Sequence, residues 1–347
     1  MPNVRRVLLP ILIVVLLGAA CARDTDPPES EGDESSATPT TITVYSGRDE
    51  EFIGPLFERF QEDTGHTLEV RYGDSAELAA QILEEGDASP ADVFVSQDAG
   101  SLGAVAQAGL FTPIDGEILD RVDPRFRSPE GLWVGASGRA RVLAYNTELV
   151  SEQELPGSVF QLTDPEWKGR IGFPPTNGSF QAFVAAMIVT DGEDATREFL
   201  EGLAANDPVL YEDNSTTVLG VADGEVDVGL VNHYYLYEVS AEEGGIPVAN
   251  HFFEAGDAGA LVNAAGAGVL ATSDDTDAAI QLIDYLTGNE GQTYFAEETF
   301  EYPVVSGYEP SVELVPLDQI DSPDVDLSDL GGTLEPALRL LAEVGLV

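Results

Sequence analysis

Apolar positions between residues 41 and 347 switch repeatedly between a strand period and a helix period. In TITVYS, Ile42 and Val44 alternate with polar residues and predict a strand from Thr41. Phe52, Ile53, Leu56, Phe57 and Phe60 then recur at helical spacing until Gly65, a helix-ending residue because it accepts positive φ without strain. Leu68 and Val70 predict a second strand. Ser75 to Glu85 reads as a helix, opened by Asp74 with Glu77 three residues on and closed by Gly86. Asp92 to Ser96, DVFVS, suits a buried strand, and a helix follows over Asp98 to Ala108. Strands and helices in turn predict an α/β fold with a largely parallel sheet.

The alternation resumes after Trp133. GASGRARVLAYN is long and strand-like, with Arg139 and Arg141 on one face, and it suits a strand crossing between two lobes. The short strand RIGF ends at Pro174 and Pro175. Thr176, Asn177, Gly178 and Ser179 then lead into the apolar helix FQAFVAAMIV, and Asn214 or Ser215 caps a helix toward Val221. From Gly259, GALVNAAGAGVLA returns as strand. A helix is predicted over Gln281 to Glu297, and another with Pro336 in its first turn.

The segment VDVGLVNHYYLYEV, Val226 to Val239, is the densest in candidate chemistry. Val226, Val228, Leu230 and Val231 read as a buried strand, Asn232 as an N-cap, and Tyr234 onward as a helix ending before Gly244. Tyr234 and Tyr235 thus fall on a first helical turn at a strand's carboxyl end. Open α/β sheets bind ligands there, and the helix's unpaired N–H groups favour negative charge. Such a pair also suits plain packing, as does Tyr237 one turn on.

Composition narrows the possibilities. Fifteen Lys and Arg face 63 Asp and Glu, a formal charge of -48, with Lys168 the only lysine. This surface repels phosphate backbones, which argues against nucleic acid as a partner. It also suits a salty medium, where screening relieves self-repulsion. Stability is therefore expected to rise from low to high NaCl, and a flat dependence in thermal melts would contradict this. His66, His233 and His251 are the only histidines, and none lies in an HExxH motif or near a GxSxG elbow, so the chain lacks the signature of a hydrolase.

The N-terminus predicts export. Arg5 and Arg6 precede an apolar run from Val7 to Leu17, shorter than the about 20 residues of a membrane-spanning helix. Gly18, Ala19 and Ala20 before the sole cysteine, Cys21, resemble the lipobox of bacterial lipoproteins, which implies a signal peptide over 1–20 and a lipid on Cys21. A soluble secreted form that loses Cys21 with its signal is the alternative. Residues 22–40 are acidic and rich in Pro, Ser and Thr, and read as a disordered tether.

ITVYSGRDE, ELAAQILEEG, ADVFVSQD, SGRARVLAYN, WKGRIGFPPTNGSF, VNHYYLY and GALVNAAGAGVL stand in the order and about the spacing of one family. From about Thr41 to its end the chain resembles the bacterial ferric-iron-binding proteins, the solute-capturing components of iron ABC importers. The resemblance implies a two-lobed, periplasmic-binding-protein-like α/β fold with crossing strands, lobe 1 over 41–137 plus 264–310 and lobe 2 over 138–263 plus 311–347. It implies a monomer that closes over Fe3+ with a small anion such as phosphate or carbonate. The cargo then passes to a membrane permease driven by a cytoplasmic ATPase. An oxyanion or small organic solute on the same fold is the alternative.

Residue by residue, the resemblance makes Tyr234 and Tyr235 metal ligands and Asn177, Gly178, Ser179, Asn214 and Asn232 the anion site. Phenolate is a hard oxygen donor suited to Fe3+, which can displace its proton. The chain departs from the family in the other lobe. Asp49 stands where the family has its histidine ligand and Gln97 where it has its glutamate. Asp49 and Asp98 each suit either metal ligation or helix N-capping. The junctions near Asp49, Gln97, Asn177 and Tyr234, two in each lobe, are expected to face one cleft.

Overall fold

The computed structural model describes residues 39–347, so the signal, Cys21 and nearly all of the tether lie outside the described residues. The first half runs β1 (Thr41–Ser46), α1 (Glu50–Thr64), β2 (Thr67–Tyr72), α2 (Ser75–Glu85), β3 (Val93–Ser96), α3 (Ala99–Gln107), α4 (Gly116–Leu119), β4 (Val134–Asn146) and β5 (Ile171–Phe173). Next come α5 (Gly178–Asp191), α6 (Glu193–Ala205), β6 (Val209–Leu210), α7 (Asn214–Ala222), β7 (Val228–Asn232), α8 (Tyr235–Glu243) and β8 (Val248–His251). The chain closes with β9 (Val262–Val269), α9 (Thr276–Thr287), α10 (Asn289–Glu297), β10 (Tyr302–Pro303) and α11 (Leu330–Val344).

Strand β4 organises the sheet, whose order is β2-β1-β3-β9-β4-β7-β5-β6 with β8 and β10 also on β4. Its first half pairs with β9 as far as Ala140, and from Arg141 it pairs with β7. All thirteen of its residues are buried. The sheet is parallel where helices return the chain, in β2-β1-β3 and β6-β5-β7, and antiparallel wherever β4 or β9 takes part. Crossing strands run back through the fold rather than forward from a helix, which makes the sheet mixed rather than largely parallel.

Helix α11 lies across both α3 and α5. Glycines permit its approach to α3: a Cβ on Gly331 would stand 2.3 Å from the Ala104 nitrogen, and one on Gly103 2.6 Å from the Ser328 carbonyl oxygen. On its other side Thr333 Oγ1 donates to the Ala185 carbonyl at 3.1 Å.

Four local expectations change. The helix predicted over Gln281 to Glu297 is two, because Gly288 adopts an extended conformation between α9 and α10, packed so closely that a Cβ would meet the Asp284 carbonyl at 2.8 Å. Pro336 sits inside α11, not in its first turn, since the helix begins at Leu330. Asp213, rather than Asn214 or Ser215, caps α7, accepting from the Thr216 N–H at 2.7 Å. Asn232 ends β7 instead of capping α8, whose capping position is Tyr234 with helical backbone angles. Both asparagines are thereby spared capping duty.

Candidate metal centre

Buried strand β7 delivers Tyr234 and Tyr235 to its carboxyl end, where both side chains are buried. Their rings stack with centroids 4.2 Å apart and planes at 30°. Phe52 of α1 meets both edge-on, at 6.1 and 6.0 Å, so the start of α1 packs against the tyrosines. Burial raises the pKa of Tyr234, although Arg139 and Arg48 draw it back. Burial raises Tyr235 further, and the neighbouring Tyr234 adds to the shift. Both phenols are therefore protonated at neutral pH until a cation displaces their protons.

His233 turns away, as its neighbours require. Its Nδ1 accepts from the Ala140 N–H at 3.2 Å, its Nε2 lies 3.2 Å from the Phe300 carbonyl, and its ring stacks on Tyr302 at 4.4 Å. Burial lowers its pKa to about 3. It is a neutral core histidine with Nε2 protonated.

Beside the tyrosines lies a cationic network that the sequence does not reveal. Arg48 grips Glu301 with two bonds of 2.9 Å, and Arg139 reaches the same carboxylate at 2.7 Å. Ser137 and Thr299 complete its shell at 3.0 and 2.9 Å. Burial alone would raise Glu301, but Arg48 and Arg139 outweigh it and hold its pKa at about 2. The Arg139 guanidinium also lies 5.6 Å from the Tyr234 ring centroid. Arg141 has no carboxylate partner among the described residues: its Nη2 donates to the Leu230 carbonyl at 2.7 Å, and Nε and Nη1 have no partner.

Asp49, Asp98 and Gln97 have separate surroundings. Asp49 precedes α1 without a side-chain capping bond, which leaves its carboxylate uncommitted. Its side chain reaches solvent, yet the protein around it removes enough water to raise its pKa, while Arg48 opposes the shift. Asp98 does cap α3, accepting from the Ser101 N–H at 2.8 Å and hydroxyl at 3.0 Å; it is buried, and burial raises its pKa. Gln97 is buried, and its backbone N–H donates to Ser75 Oγ at 2.9 Å.

The anion candidates gather at the start of α5. Asn177 Oδ1 accepts from the Ser179 N–H at 3.0 Å and hydroxyl at 2.6 Å. Asn214 Nδ2 approaches Ser179 Oγ at 3.4 Å, while Asn214 Oδ1 and Asn232 Nδ2 are buried without partners. A Cβ on Gly178 would stand 3.9 Å from Asp98 Oδ2, so the α5 start faces the α3 start. Two approaches bring these junctions near one another, Phe52 to the tyrosines and Asp98 to Gly178. No direct hydrogen bond joins Asp49 or Gln97 to either tyrosine among the described residues.

Sequence reasoning missed Phe52 as a wall of the site, the Glu301 bridge, and Glu238 one turn along α8. Burial raises Glu238 to about 8, with Glu242, Asp213, Glu51 and Asp49 adding repulsion, so a cation at this mouth would relieve several like charges. Among the described residues no three His, Cys, Asp or Glu side chains group closely enough to hold a metal.

The sequence profile of the bacterial extracellular solute-binding proteins matches residues 88–319, and the chain belongs to that family. It is a binding protein, not an enzyme. The chain is 35% identical over 319 residues to the Fe(3+)-binding periplasmic protein of Serratia marcescens, covering 91% of this chain and 94% of the relative. It is 33% identical over 318 residues to the major ferric iron-binding protein of Neisseria meningitidis, covering 90% and 96%. Iron-bound HitA from Pseudomonas aeruginosa superposes with a TM-score of 0.83 at 37% identity, covering 88% of this chain and all of that one.

Proposed function

We propose that the chain captures Fe3+ outside the cytoplasm and delivers it to an ABC permease and its ATPase. The observation that carries this reading is the buried, stacked Tyr234–Tyr235 pair at the end of β7, a hard-donor pair beside the acidic groups Asp49 and Glu238. Relatives bearing ferric-binding names over nine-tenths of the chain support it. Tyr234 and Tyr235 supply phenolates, and Asp49, Gln97 or Asp98 completes the coordination. A small anion such as phosphate or carbonate sits at Asn177, Gly178 and Ser179 with Asn214 and Asn232, where first-turn N–H groups lack intrahelical partners.

The two lobes, 41–137 plus 264–310 and 138–263 plus 311–347, close on this cargo as a monomer. A lipid on Cys21 holds the protein on the outer face of the cytoplasmic membrane, with residues 22–40 as the tether.

Asp49 and Gln97, standing where the resemblance calls for histidine and glutamate, favour a second reading: an oxyanion or small organic solute on the same fold. Equilibrium dialysis of the purified protein against Fe3+, phosphate and sugar phosphates separates the two. One ferric ion retained per chain is expected. Retention of a phosphorylated solute without iron would favour the second reading.

A further inference from the structure

Arg141 is 2% exposed, yet no acidic side chain among the described residues pairs with it. Its guanidinium lies 5.2 and 5.3 Å from the ring centroids of Phe180 and Phe183 on α5, and a single carbonyl accepts from it. Burying a cation with two unsatisfied donors is costly, and the cost is recovered only when an anion arrives. The geometry shows where that anion would lie. Arg141 stands directly opposite Asn232 in the β4–β7 ladder, so the two side chains leave the sheet on one face. The Phe180 and Phe183 contacts put α5 over that same face, and its first turn touches Asn214 through Ser179. Among the described residues the donors Arg141 Nε and Nη1 and Asn232 Nδ2 are buried without partners. Neighbouring Arg48 and Arg139 already share Glu301, which leaves Arg141 as the cation of the three without a carboxylate.

We infer that Arg141 is the cationic floor of the anion subsite, fixing a small oxyanion between β4, β7 and the start of α5. The inference rests on the solute-binding reading above and adds a residue that sets the charge of the ligand the subsite accepts. A dianionic or trigonal oxyanion fits a planar guanidinium that offers two N–H groups. A neutral solute would leave the charge unpaired.

The test is calorimetric titration of inorganic phosphate, and separately of bicarbonate, into iron-free protein, comparing wild type with Arg141→Gln, Arg141→Met and Arg141→Lys. Wild type is expected to bind one of the two anions. Arg141→Gln and Arg141→Met should bind it about 10- to 100-fold more weakly, the scale of a lost charge-assisted bond, with Arg141→Lys between them. Melting curves give a readout that a merely structural role would not produce. Without anion the Gln and Met variants should melt at or above wild type, because an unpaired buried charge has gone. With anion only wild type and Arg141→Lys should gain stability. Equal anion affinity in wild type and Arg141→Met would overturn the proposal, as would a wild type that binds neither anion. The ferric reading is judged separately, by whether wild type with Fe3+ shows a phenolate charge-transfer band.

Discussion

Replacing both Tyr234 and Tyr235 with phenylalanine will abolish tight ferric binding and leave the fold standing. Each substitution removes one hydroxyl and keeps a ring that stacks on its neighbour and meets Phe52, so the local packing survives. Two hard anionic donors are lost, and among the described residues no three His, Cys, Asp or Glu side chains group to replace them. Competition against citrate should report an affinity at least about 1,000-fold weaker, or about 4 kcal/mol, with no visible band. Because burial keeps both phenols protonated in the metal-free protein, ferric uptake by wild type should release their protons and tighten as pH rises. The double variant should lose that part of the pH dependence. Retained affinity would remove the tyrosines from the site.

The second large effect is expected at Glu301. Glu301→Gln keeps the shape but leaves Arg48 and Arg139 buried without their shared counter-charge, a loss of about 3–5 kcal/mol by analogy with other broken buried pairs. The melting temperature should fall by several degrees or more. The acid limb should change as well. The folded-state pKa of Glu301, about 2, lies below its ordinary value of 4.5. Its contribution is therefore complete above about pH 4.5 and disappears as pH falls toward 2. Wild type should lose stability over that window, whereas Glu301→Gln should lose less. Equal melting of the two proteins from pH 7 to pH 3 would show that the arginines find other partners.

What the sequence disclosed and what it hid divide along the range of the interactions. Helix α2 falls on its expected bounds, and β1 begins where Ile42 and Val44 placed it, because apolar periodicity and a closing glycine act within a few residues. The long strand β4 was legible from the strand-like run GASGRARVLAYN, and it spans thirteen residues. The tyrosine pair was legible too, although Asn232 proved to end the strand rather than cap the helix. The break at Gly288 was missed because the apolar stripe continues across it, while the backbone turns where only a glycine fits beside Asp284. Glu301 was invisible for a different reason. It meets Arg48 across 253 positions of chain, and nothing near either residue announces the pairing. Arg141 likewise reads only as sharing one strand face with Arg139, and its enclosure by β7 and α5 lies in contacts distant along the chain.

The most direct measurement is a visible absorption titration of the purified protein with ferric citrate, with and without phosphate or carbonate. A phenolate-to-iron charge-transfer band that grows with added metal and saturates at one ferric ion per chain is the predicted result, stronger or tighter with the matching anion. Absence of any band in either medium would contradict the tyrosine site, and Asp49 and Gln97 would then mark a receptor for a different solute.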